Sequence, residues 1–140
     1  MTTRQTIQAI TLPVGKRLMF LPEHFGELHL AVEFAVYNHT QALAKEYTGG
    51  LWQYRELSNG GAYMRPDTER RWQIQCATNG YQGEMSSDAL GITATLFALS
   101  HLSFRYQGHP DGNKLAEHFH WLRDFALDHE EATEIFAAID

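Results

Sequence analysis

Residues 47–83 constrain the fold of this chain more than any other segment, because short aromatic stretches alternate there with paired glycines and Asn-Gly turns. Asn59-Gly60 and Asn79-Gly80 supply the positive φ angles that tight hairpins need. The alternation predicts strands over about residues 51–57, 62–65, 71–78 and 81–85. Strands joined by such tight turns are typical of an antiparallel β-meander.

The predicted strand over 71–78 has one apolar face, formed by Trp72, Ile74 and Cys76, and one face with two glutamines. This is the pattern of a half-buried antiparallel strand. It predicts that Cys76 is a buried, unreactive thiol. In the strand over 51–57 both faces carry large side chains. The sequence leaves open whether the face with Trp52 and Tyr54 or the opposite face meets the core.

A long helix is predicted before the strands, over about residues 27–45. It has one apolar row through Leu28 and Val32 and a second row through Leu30, Phe34 and Tyr37. A helix that is apolar on two faces is usually packed on two faces. We therefore expect this helix to be central.

Three more helices are predicted after the strands. A cap cluster at Ser86-Ser87-Asp88 opens the first, which runs to about residue 106. Asn113 can cap the next, and Asp128 with Glu131 resembles a capping box that opens the last.

The order of these elements indicates the α+β class, because clustered strands are followed by clustered helices. A chain of 140 residues has the usual size of one domain. We predict a single domain over residues 1–140, in which an antiparallel meander of three to four strands packs with about four α-helices. Residues 6–12 fit an additional short strand, and residues 1–16 are expected to be less ordered.

The negative charge is confined to one end of the chain. Residues 1–116 hold ten basic and ten acidic side chains, whereas residues 117–140 hold seven acids and one base, which accounts for the net charge of −6. Duplex DNA of about 36 Å, the length of two dozen helical residues, carries roughly 21 charges. The segment is far too sparse to imitate DNA, and it is either a solvated face or an acidic docking surface. Without a basic stripe, we expect no strong binding of nucleic acid.

The sequence contains no pattern that indicates catalysis or a cofactor. No two of the eight histidines are three or four residues apart, the spacing that lets two helical side chains face one metal ion. The glycine pairs lack the sequence of a phosphate-binding loop. We expect a protein without enzymatic activity, cofactor or metal, although folding could still assemble a metal site from distant residues.

The expected location is the cytoplasm, and the expected state is a monomer. One cysteine excludes an internal disulfide and fits a reducing compartment. The polar N-terminus lacks the apolar region of a secretory signal. No apolar run approaches the roughly 18 to 20 residues that span a membrane.

Two segments carry a family resemblance: Arg17–Gly26, which reads RLMFLPEHFG, and Tyr47–Tyr54, which reads YTGGLWQY. With the Asn79-Gly80-Tyr81 turn and the helix start at 87–92, they resemble the KlcA/ArdB antirestriction family, with the nearer likeness to its KlcA members. The resemblance extends over residues 17–139. It implies a small α+β protein of plasmids and other mobile elements that protects incoming plasmid or phage DNA from host type I restriction-modification enzymes without DNA mimicry.

These observations lead to two hypotheses about function. The first is an inhibitor of type I restriction that acts through protein contacts, directly or indirectly. Its candidate contact surface is formed by Arg17, Glu33, Trp52, Tyr54 and Arg55, because aromatic and arginine side chains supply most interface hot spots. For Trp52 and Tyr54, core packing is the competing interpretation. The second hypothesis is a small-ligand-binding domain or small enzyme with a pocket between the helix over 27–45 and the sheet.

Overall fold

The computed structural model describes residues 6–140, where five strands and five α-helices are present. The strands are β1 (Ala9–Thr11), β2 (Trp52–Leu57), β3 (Ala62–Pro66), β4 (Arg71–Gln75) and β5 (Gln82–Ser86). The α-helices are α1 (Arg17–Phe25), α2 (His29–Leu43), α3 (Ser87–Arg105), α4 (Gly112–Leu127) and α5 (Ala132–Ile139). The strand predicted near the N-terminus is confirmed as β1. The expectation of lower order for residues 1–16 falls partly on residues 1–5, which lie outside the described residues.

The strands form two antiparallel sheets, one ordered β1-β2-β3 and the other β4-β5. The α+β class and the antiparallel hairpins are thus confirmed, but the meander is divided between β3 and β4. The cause is α3, which occupies the edge of β3: the Met64 amide donates to Thr95 Oγ1 on α3, at 3.5 Å. Gly91 permits this approach, because a Cβ added there would lie 2.4 Å from the Met64 carbonyl oxygen.

Helix α3 is the centre of the fold, and most of its side chains are buried. It begins where the cap cluster predicts, with the Ser86 hydroxyl accepting from the Ala89 amide at 3.1 Å. Helix α2 packs on α3 with one face only. The expectation that α2 is buried on two faces is wrong, since Leu30 and Phe34 are 54% and 63% exposed.

Helix α1 was not predicted, because Pro22 suggests a chain break. Pro22 lies inside the helix, where it lacks the N–H that would bond four residues back. Burial of Phe20, Leu21 and Phe25 stabilises this short helix, in keeping with the general dominance of tertiary packing over intrinsic propensity.

The predicted capping box before the last helix is wrong. Helix α5 begins at Ala132, and the Glu131 carboxylate turns away from it. It accepts from the Ser86 amide at 2.9 Å and from Arg71 Nη1 at 3.1 Å. The glutamate therefore joins the start of α5 to β4 and β5. None of the helices in the described part of the chain has the length and apolar character needed to cross a bilayer.

Candidate protein-contact groove

A groove of about 740 Å³ lies between α1, α2 and β2, and four of the five predicted contact residues line it. Arg17 comes from the first turn of α1, Glu33 from α2, and Trp52 and Tyr54 from β2. The structure does not place Arg55 there. Successive side chains of a strand point to opposite faces, so Arg55 lies on the other side of β2.

Arg17 places a cation at the groove. Its guanidinium lies 5.9 Å from the centre of the Tyr54 ring, within the range of a cation–π contact. Its Nε atom is buried and has no hydrogen-bond partner in the part of the chain that the structure describes. The Arg17 guanidinium therefore retains unused donor capacity at the groove wall.

Glu33 is joined to the aromatic floor through Tyr37. The Tyr37 hydroxyl donates to Glu33 Oε1 at 3.0 Å, and the Tyr37 and Trp52 rings are 5.1 Å apart. Burial of Tyr37, together with Tyr54 and Glu33, raises the pKa of its hydroxyl well above the usual value. Tyr37 thus stays a neutral donor that orients the Glu33 carboxylate.

Trp52 forms the floor of the groove and also belongs to the core. It is 6% exposed, and its Nε1 donates to the Tyr47 hydroxyl at 2.9 Å. Tyr54 is half-buried and packs on Phe20 of α1, with ring centres 5.1 Å apart. The two aromatic side chains therefore pack on the core and also line the groove, and their role in protein contact stays a prediction.

The rim of the groove is apolar and open to water. Leu18 of α1 is 86% exposed, and Leu51, just before β2, is 77% exposed. Leu30 and Met19 continue this surface. Exposed apolar side chains grouped beside a groove are typical of protein-contact sites. The sequence predicts that the row containing Leu30 is packed, whereas Leu30 is exposed. Leu51 was not among the predicted contact residues, although its position directly after two glycines could have indicated an apolar side chain beside a turn.

Helix α1 is held in place by a histidine contact with the sheet. His24 Nε2 lies 2.8 Å from Glu56 Oε2 on β2, and the His24 ring packs on His118 of α4 at 5.2 Å. Burial, followed by the charge of His24, lowers the pKa of His118 to about 4. These contacts fix the wall of the groove that carries Arg17 and Leu18.

Arg55 belongs to a separate polar cluster centred on Asp88, at the start of α3. Asp88 Oδ1 accepts from Tyr63 Oη at 2.6 Å and from Arg55 Nη1 at 3.0 Å. The sequence predicts Asp88 only as part of the cap cluster that opens α3. The cluster joins β2, β3 and α3.

The tautomer of His129 in this cluster follows from its two contacts. His129 Nδ1 accepts from the Glu131 amide at 2.9 Å, so the proton is on Nε2, which donates to Asp88 Oδ2 at 2.9 Å. Burial opposes ionisation of Asp88, but the hydrogen bonds from His129 and Tyr63 and the charge of Arg55 outweigh it and lower the Asp88 pKa to about 2. Because the Asp88 carboxylate accepts from Tyr63, Arg55 and His129 at the same time, we interpret the cluster as a structural hub.

Among residues 6–140, no group of three or more histidine, cysteine, aspartate or glutamate side chains is arranged to hold one metal ion. Cys76 is buried, as predicted. The groove therefore offers contacts, namely apolar rim residues, an aromatic floor, one cation and one carboxylate.

Comparison with known proteins identifies the class to which this fold and groove belong. The family model for antirestriction proteins matches residues 45–140. The chain therefore belongs to the antirestriction protein family.

The chain is similar in particular to two Escherichia coli proteins that both have the name antirestriction protein KlcA. One is 41% identical over 140 residues, covering 99% of both chains. The other is 42% identical over 137 residues, covering 96% of this chain and 94% of the relative. The resemblance to KlcA is thus confirmed.

A solved structure agrees with the fold over nearly the whole chain, with a TM-score of 0.90, 41% identity and coverage of 99% of both chains. It comes from work in which the KlcA and ArdB proteins show a novel fold and antirestriction activity against type I DNA restriction systems in vivo but not in vitro.

Proposed function

We propose that this chain protects incoming plasmid or phage DNA in the cytoplasm by reducing restriction by the host's type I restriction-modification enzymes, without catalysis and without imitating DNA. The observation that carries the proposal is the likeness over 99% of the chain to a structure from work that reports antirestriction activity in vivo. The low charge density of the acidic segment argues against imitation of DNA. Residues 117–140 hold a net charge of −6, whereas duplex DNA of the same length holds roughly 21 negative charges.

We further propose that the inhibition is indirect and depends on a host component. The related proteins act in vivo but not in vitro, which is expected when a purified system lacks a necessary partner. The groove supplies the surface for that partner, with Arg17, Glu33 and Tyr54 as polar and aromatic contacts around the floor formed by Trp52.

A plating assay tests the function. Phage that is unmodified at the host's sites is plated on cells with a type I system, with and without expression of this protein. We expect expression to raise the plating efficiency, and to leave plating on a host without restriction unchanged. Equal restriction with and without the protein would show the proposal to be wrong.

The groove is tested with exposed positions, because these variants leave the core intact. Leu18→Glu and Leu51→Glu place a charge on the rim and should abolish protection, while stability changes by no more than about 0.5 kcal/mol. Phe104→Glu is the matched control, since Phe104 is 70% exposed and lies outside the groove. Full protection by both rim variants, or loss with the control alone, would contradict the assignment of the surface.

Binding of a small ligand is the second candidate function. The volume of about 740 Å³ falls within the usual range of ligand sites, and the groove lies between α2 and the sheet, as that hypothesis requires. Mass spectrometry of the native protein distinguishes the two. A stoichiometric metabolite that the Leu51→Glu variant fails to retain would favour ligand binding over protein contact.

A further inference from the structure

Two histidines from neighbouring helices face each other on a side of α2 that does not line the groove. The ring centres of His39 on α2 and His101 on α3 are 4.9 Å apart, with 68° between the ring planes. Within residues 6–140, neither ring forms a hydrogen bond or an ion pair. We propose that His39 and His101 together bind a divalent transition-metal ion such as Zn²⁺, Ni²⁺ or Cu²⁺.

The separation of the rings fits shared coordination. A metal ion about 2.0–2.1 Å from one nitrogen of each ring lies about 3 Å from each ring centre, so at a near-tetrahedral angle the two centres are about 5 Å apart. Imidazole is a ligand that suits zinc, nickel and copper ions. The observed separation of 4.9 Å between the His39 and His101 ring centres is therefore compatible with two ligands around one ion.

Phe97 holds one of the two rings in place. It is one helical turn before His101 on α3, and its ring stacks on His39 with centres 5.4 Å apart and 15° between the planes. His39 is half-buried and His101 is exposed. One ligand is thus pre-oriented by packing, while the other is accessible to an ion from solvent.

The protonation state of His39 also favours binding of a metal ion. Burial, followed by the charge of His101, lowers the pKa of His39, which favours the neutral form of this imidazole. The neutral ring is the form that binds metal ions.

A second histidine pair shows what distinguishes this one. His24 and His118 have ring centres 5.2 Å apart, but His24 already contacts the Glu56 carboxylate at 2.8 Å and His118 is 2% exposed. That pair has neither two rings without a polar partner nor an exposed ring. His39 and His101 have both.

The protein supplies two ligands, because no third histidine, cysteine, aspartate or glutamate completes a cluster in the described part of the chain. Water or a group from a partner would fill the remaining positions. An ion bound here would join α2 to α3, and since it binds only the folded arrangement it would stabilise the fold in proportion to its concentration.

The test is a titration of the chelator-treated full-length protein with ZnCl₂ or NiCl₂, followed by calorimetry and urea unfolding. We expect one equivalent to bind and to raise the urea midpoint, and MgCl₂ to do neither. Loss of an outer-shell partner alone weakens metal binding about 10- to 100-fold, so loss of a ligand should weaken it at least about tenfold. His39→Phe, which keeps the stacked ring, and His101→Gln should each show this loss.

His120→Gln is the matched control, because His120 is exposed on α4 and should not affect binding. A readout in the wild-type protein avoids any effect of substitution on folding: Cu²⁺ should broaden the NMR signals of the His39 and His101 rings before those of other histidines. Absence of one-equivalent binding, wild-type affinity in both ligand variants, or earlier broadening at another histidine would each overturn the proposal.

Discussion

Replacement of Asp88 by asparagine tests whether the charge at the hub stabilises the fold. The carboxyl pKa is lowered from 3.8 to about 2, and one pKa unit corresponds to about 1.4 kcal/mol. Because the Asp88 side chain is 20% exposed, little discount for solvent screening is needed. The ionised carboxylate therefore contributes about 2 kcal/mol to the free energy of unfolding. The Arg55 guanidinium, left without its carboxylate, increases the loss.

The pH dependence identifies the charge as the cause. An aspartate whose folded pKa is below its unfolded value stabilises the protein fully above the unfolded value, and this stabilisation is lost as the pH falls through the folded value. The difference in the free energy of unfolding between wild type and Asp88→Asn should thus be about 2 kcal/mol or more at pH 7, and should decrease between pH 4 and pH 2.

Urea unfolding followed by tryptophan fluorescence measures this difference at each pH. Glu130→Gln is the control, because Glu130 is an exposed acid near the same cluster and should change stability by no more than about 0.5 kcal/mol. A destabilisation by Asp88→Asn that is equally large at pH 7 and pH 2.5 would refute the assignment to the charge.

Three other predictions concern the core and the groove wall. Trp52→Ala should lower the free energy of unfolding by about 3–5 kcal/mol, since Trp52 is 6% exposed; a urea midpoint like that of the wild type would show that Trp52 is not a core residue. Gly91→Ala should cost at least about 1–3 kcal/mol by forcing α3 away from β3, while Gly15→Ala, where an added Cβ meets nothing within 4 Å, should be near neutral; equal stability of the two variants would contradict this packing. Because the folded pKa of His118 is lowered from 6.5 to about 4, the unfolded chain binds the proton more readily, so stability should fall as the pH drops from 6.5 to 4, by about 3 kcal/mol. His118→Gln should show a smaller decrease in urea unfolding over this range, and an identical decrease would exclude His118 as its source.

Local sequence signals predicted most of the secondary structure. The Asn-Gly turns located the hairpins, and the serine cluster at 86–87 located the start of α3, because both depend on residues adjacent in sequence. Helix α1 was missed for the same reason: Pro22 disfavours a helix locally, and only contacts of Phe20 and Phe25 with distant residues compensate for it.

The sequence predicted four of the residues that line the candidate groove, but not how the fold brings them together. The candidate contact surface predicted from the sequence included Arg17, Glu33, Trp52 and Tyr54, which the fold brings together from α1, α2 and β2. Arg55 was grouped with them, yet strand alternation and the position of Asp88 place it in a different cluster. The role of Glu131 was likewise misassigned, since its partners Ser86 and Arg71 lie 45 and 60 residues away.

The sequence by itself determined the α+β class, the positions of the turns and helix starts, and the family, because these depend on residue type and local order. Tertiary structure alone decided that the strands form two sheets, that one row of α2 stays exposed beside the groove, and that His39 meets His101. These features depend on which distant surfaces pack together, and α3 determines much of that packing: Gly91 allows it to approach β3 so closely that β3 has no free edge to offer β4.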